Sequence, residues 1–84
     1  MNWHDILPPD VANMQIEFEL DRAAYRMRAI AKFTFKQVGD RMGESANSAR
    51  TRFERYERHY IHGTPKTPPA ERYINTPGWF EFVA

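Results

Sequence analysis

The sequence contains no cysteine, which excludes disulfides and thiolate-ligated metal centres. No apolar run approaches the roughly 18 residues needed to cross a bilayer. The opening MNWHDILPPD has neither a basic n-region nor an apolar h-region. A soluble, cytoplasmic protein without membrane contact is therefore expected. Also missing are a Gly-rich phosphate loop, a Ser or Cys nucleophile motif and H-E-x-x-H, so no catalytic residue, no cofactor and no enzyme activity is expected. His59 and His62 stand three apart, and His4 is the third histidine. Without cysteine, and with carboxylates near them only by sequence, they do not compose a metal site. Histidines near the negative end of a helix dipole are the plainer reading. No internal repeat and no sustained heptad pattern is present.

What is there is 84 residues, 42% hydrophobic and 14% aromatic, enough for one small domain with a modest core. With disulfides excluded, a second subunit is the first stabiliser to expect. The net charge of +1 hides a strong asymmetry. Residues 1–21 carry five acids (Asp5, Asp10, Glu17, Glu19 and Asp21) and no Lys or Arg. Residues 22–62 carry ten bases against Asp40, Glu44, Glu54 and Glu57, a net of +6, and residues 63–84 balance. A basic middle behind an acidic front points to a polyanion-binding face. Glu17 and Asp21, one turn apart, read as a solvated acidic side of a helix.

The periodicity predicts an all-α chain. Asp10 is placed to cap a long helix starting at Val11, after Pro8-Pro9 and running to about Phe33. Two apolar stripes follow that helix: Met14, Phe18 and Tyr25 on one side, and Ile16, Leu20, Ala23, Met27 and Ile30 on the other. Either the rest of the chain covers both, or one is a subunit interface. Thr34 with Gln37 three residues later has the form of a capping box opening a short helix over 35–42. Gly43 suits a left-handed C-terminal cap. Ser45 suits the cap of another helix over 46–60, which Gly63 and Pro65 stop. Beyond it, TPKTPP and Thr76-Pro77-Gly78 predict an irregular, Pro-rich tail ending in the aromatic segment Trp79–Val83. The expected division is a helical domain over 1–63 and an extended tail over 64–84, packed on the domain or on a partner.

Within 35–60 each spacing has a physical reason. Val38 and Met42 face inward, Gly39 is small at a close approach, and Gly43 admits positive φ in the tight turn. Ala49, Phe53 and Tyr56 give the following helix its inward stripe. The outward side then holds Ala46, Asn47, Ser48, Arg50, Thr51, Glu54 and Arg58. This pattern resembles the helix-turn-helix family, most closely the C-terminal promoter-reading domain of sigma factors and small phage or bacterial regulators. The resemblance covers about 25 of the residues and rests on Gly39, Met42, Gly43, Ser45, Ala49 and Arg52. It departs from the family in Ala49, where a bulkier residue is common, and in polar Glu44 after the turn glycine.

The resemblance implies a three-helix domain that binds double-stranded DNA, regulates transcription, and places the N-terminal part of its 46–60 helix in the major groove. It implies Asn47, Ser48, Arg50 and Thr51 as base readers. Lys36, Arg41, Ser45, Arg52, Arg55 and Arg58 would then hold phosphates, although some of these arginines have the acidic first helix as an alternative partner. Arg22, Arg26 and Arg28 are assigned to salt bridges or a further backbone contact. A homodimer on two half-sites is expected, with Met14, Phe18, Tyr25, Trp79, Phe80 and Phe82 as candidate interface residues. Two alternatives stay open. One is a protein-interaction module that docks through the acidic helix or the aromatic tail, such as a phage-type inhibitor of a host complex. The other is a DNA-packaging or recombination accessory factor.

Overall fold

The computed structural model describes residues 3–62 and 66–74, and every regular element among them is helical. The elements are α1 (Trp3–Ile6), α2 (Pro9–Ala29), α3 (Phe35–Met42), α4 (Ala46–Tyr56), a π-helical turn (Glu57–Ile61) and α5 (Pro69–Ile74). The stop at Gly63 and Pro65, and the segment Trp79–Val83, lie outside the described residues. No described helix is long and apolar enough to cross a membrane.

The described residues fall into two compact units, one formed by the chain up to Phe18 with the chain from Thr67 onward, the other by Glu19–Lys66. In the first, Leu7, Ala12 and Ala70 are buried and Trp3, Ile6, Val11 and Tyr73 pack against them. The buried Gln15 side chain accepts a hydrogen bond from the Ala70 backbone N–H at 2.9 Å, which satisfies a donor in the first turn of α5. Pro69–Ile74 is helical, where an extended tail was expected. Pro69 occupies the first helical position, where its missing N–H costs nothing.

In the second unit, α2, α3 and α4 each contribute one fully buried residue: Ala24, Val38 and Ala49. Met27, Phe33 and Met42 close over them. Ala49 meets Val38 and Ala24 and is itself fully buried. Around this centre the rings of Phe35, Phe53, Tyr25, Tyr56 and Tyr60 form a continuous ladder, with successive centroids 5.0–5.6 Å apart, the favoured range for offset and edge-on pairs.

Helix boundaries differ from expectation at both ends of α2. The helix begins at Pro9 and the Ala12 N–H donates to Pro8 O, so Asp10 sits inside the first turn and is not the cap. There its carboxylate still favours the positive end of the helix dipole. At the far end α2 stops at Ala29 rather than near Phe33. Lys32 adopts φ 63° and the Phe33 N–H reaches back to Met27 O at 3.1 Å. A left-handed conformation costs an L-residue about 1–2 kcal/mol, and glycine escapes it at the expense of some unfolded-state entropy. Lys32→Gly is therefore expected to stabilise the chain by about 0.5–1 kcal/mol, read as a higher midpoint of thermal unfolding. An unchanged or lower midpoint contradicts this account of the turn.

Candidate functional site

The turn between α3 and α4 is built as its sequence predicts. Thr34 Oγ1 accepts from the Gln37 N–H at 3.2 Å, and Gln37 Oε1 accepts from the Thr34 N–H at 2.9 Å, completing the capping box. Gly43 takes φ 70° and its N–H bonds Gly39 O, which also accepts from the Glu44 N–H at 2.8 Å. Gly39 is buried against the turn itself: a Cβ there would lie 2.6 Å from Glu44 O and 2.9 Å from Ser45 O. Ser45 Oγ then accepts from the Ser48 N–H at 3.1 Å and opens α4.

The outward face of α4 carries Asn47, Arg50, Thr51 and Glu54, and the π-helical turn that follows adds Arg58, all exposed. Asn47, Ser48 and Thr51 also line a shallow groove of about 270 Å³, together with Glu44, Arg52 and Arg55. The four expected base readers differ in what they retain for a ligand. The Thr51 hydroxyl donates to Asn47 O at 3.0 Å, and Ser48 Oγ accepts from Ser45 Oγ at 3.1 Å. The Asn47 amide is exposed and makes no hydrogen bond among the described residues. Arg50 uses Nε alone, donating to Glu54 Oε1 at 3.0 Å.

Two residues expected on phosphates are otherwise engaged. Arg52, whose side chain is 12% exposed, donates from Nε to both Glu44 oxygens at 2.7 and 3.0 Å and from Nη1 to Asp21 Oδ1 at 3.0 Å. Arg55 donates to the two Asp21 oxygens at 2.6 and 2.8 Å. Asp21 is 5% exposed, so it is not on a solvated acidic side. It is the anchor by which α2 neutralises two arginines of α4. Arg52 is thereby part of the fold, while Arg55, 41% exposed, still presents an edge at the groove. Ser45 spends its hydroxyl on the helix cap. Lys36, Arg41 and Arg58 remain exposed, with the Arg41 guanidinium 4.4 Å from the Phe33 ring centroid. Arg28 lies similarly over Phe35 at 5.3 Å.

Of the candidate interface residues, Phe18 is buried by its own chain, and Tyr25 is half-buried between Phe53 and Tyr56. Met14 alone of the three is exposed, on a groove with Val11, Pro69, Arg72 and Tyr73. Trp79, Phe80 and Phe82 lie outside the described residues. No group of three or more metal-ligating side chains occurs among the described residues.

The structural division sharpens the charge asymmetry. Residues 19–66 hold eleven Lys and Arg against six acids, whereas the residues before and after hold one against five. His59 adds no positive charge near neutral pH. Partial burial, then the cations Lys66, Arg58 and Arg55, lower its pKa below the usual 6.5 despite the opposing pull of Asp21.

Comparison with protein-family models, curated proteins and solved structures gives no match.

Proposed function

We propose that the protein is a small DNA-binding regulator that reads double-stranded DNA through the outward face of α4. The observation that carries this reading is that face itself. Asn47, Arg50, Thr51 and Glu54 stand exposed along one side of α4, with Arg58 on the π-helical turn after it, and Ala49 and Phe53 fix the other side of the helix. Asparagine and arginine are the side chains whose paired hydrogen-bonding groups match adenine and guanine edges in the major groove. The flanking cations Lys36, Arg41, Arg55 and Arg58 supply phosphate contacts that set register. Asp21 and Glu44 hold Arg52 inside the fold, so it supports α4 and makes no phosphate contact. A single helix covers few base pairs, and a second copy on a neighbouring half-site supplies the rest.

Selection from a random duplex pool, followed by binding titrations across a salt series, tests the reading. The expected result is an enriched sequence whose affinity falls steeply with salt, as counterion release demands. Arg50→Ala should cost about 1–3 kcal/mol on the selected site and relax its specificity, while Arg58→Ala should weaken all duplexes about equally. Absence of binding to every duplex at low salt, or binding indifferent to salt, overturns the proposal.

A further inference from the structure

On the reading that α4 faces the major groove, we infer that Glu54 sets the base specificity of this surface by acting on Arg50. The side chains lie one helical turn apart and are joined by a single hydrogen bond, Arg50 Nε to Glu54 Oε1 at 3.0 Å. That bond occupies the one guanidinium nitrogen that does not belong to the terminal fork. Nη1 and Nη2 make no hydrogen bond among the described residues and remain as a planar pair of donors, the arrangement that fits O6 and N7 of guanine.

An unrestrained arginine on an exposed helix samples phosphates as readily as bases. Glu54 removes that freedom twice over. It fixes the guanidinium by Nε, and its negative charge penalises swinging the pair toward the DNA backbone. Its other oxygen, Oε2, is an acceptor, and in the major groove the cytosine amino group is the donor that would match it. Arg50 and Glu54 together thus specify a guanine with a cytosine amino group beside it.

The pair contributes little to the fold. Its side chains are 63% and 55% exposed, and exposed pairs of this spacing add little to the stability of a helix. Glu54 can therefore be changed without unfolding α4. The test measures the affinity of the whole chain for the selected duplex and for variants with that guanine replaced, using the unaltered protein, Glu54→Gln, Arg50→Lys and Arg50→Ala, with circular dichroism as the control for folding.

The unaltered chain should prefer guanine by roughly 10- to 100-fold. Glu54→Gln should reduce that preference to about threefold or less while tightening binding to unrelated duplexes, because a repelling charge is gone and the arginine is released. Arg50→Lys, which keeps the charge but lacks the fork, should fail to restore discrimination. A folded Glu54→Gln chain that discriminates as well as the unaltered one overturns this inference and leaves α4 as a DNA reader intact. Failure of the unaltered chain to bind any duplex removes the underlying reading as well.

Discussion

Asp21→Ala lowers the stability of the fold by about 3 kcal/mol, the low end of what removal of one partner from a buried ion network costs. Its carboxylate accepts one hydrogen bond from Arg52 and two from Arg55. Deleting it leaves two guanidinium groups near one another without the carboxylate that lies between them and α2. Arg52 suffers most, because it is nearly buried and loses the Asp21 carboxylate while still holding Glu44. Arg55 is 41% exposed and recovers water, which is why the effect does not reach the top of the range. For a chain of this size the loss appears as a fall of roughly 12–24 °C in unfolding midpoint. Arg55→Met should cost far less, about 1 kcal/mol, since it leaves the buried acid still paired with Arg52. Equal effects of the two substitutions in thermal or urea unfolding would contradict the role assigned to Asp21.

Gly39→Ala is the second large effect, also about 3 kcal/mol, and it arises from a single methyl group. A Cβ at this position would stand 2.6 Å from Glu44 O, 2.9 Å from Ser45 O and 3.0 Å from Ser45 C. All three are backbone atoms of the turn, so no flexible side chain can step aside. Relief requires α3 and the turn to separate. That movement strains the hydrogen bond from the Glu44 N–H to Gly39 O and shifts the carboxylate that holds Arg52. Gly43 provides the contrast. Its φ of 70° disfavours any L-residue, yet a Cβ there meets nothing within 4 Å, so Gly43→Ala should cost only about 1–2 kcal/mol. Unfolding midpoints that rank Gly43→Ala as the more damaging change would refute the close-approach argument.

These two positions mark the limit of what the sequence discloses. Gly39 was legible because the α3–α4 unit is specified by local signals: the Thr34–Gln37 box, the Gly43 cap, the Ser45 cap and the Ala49–Phe53–Tyr56 stripe act over three to seven residues and were all read in place. Asp21 was legible only in part. The acidic first helix stands as an alternative partner for the arginines, but helical spacing put Asp21 on the same side as Glu17, and nothing local singles it out as the acid that Arg52 and Arg55, 31 and 34 residues away, bury. Lys32 failed for a different reason: lysine carries no preference for the left-handed region, so the end of α2 is imposed by the packing of Phe33 and Met27. The helix at Pro69–Ile74 was hidden by its prolines, which suggest an extended chain unless one of them falls at the first helical position. For the candidate site, residue type on the outward face was readable, but the hydroxyls of Ser48 and Thr51 and the arginines 52 and 55 depend on partners that only the folded chain supplies.

The long sequence separation between Asp21 and its arginines has a further consequence for how the chain presents charge before and after folding. In the unfolded state Arg52 and Arg55 are hydrated cations open to any polyanion. Folding draws both against an acid from a distant helix, so the native chain exposes less positive charge than its own denatured form at these two positions. Sequence-blind electrostatic attraction is thereby weighted toward the unfolded chain. What the native surface keeps is a smaller set of exposed cations, Lys36, Arg41, Arg50 and Arg58 among them. The buried carboxylate thus acts as a filter on the protein's own charge, so that the cationic surface is set by the fold and not by composition alone.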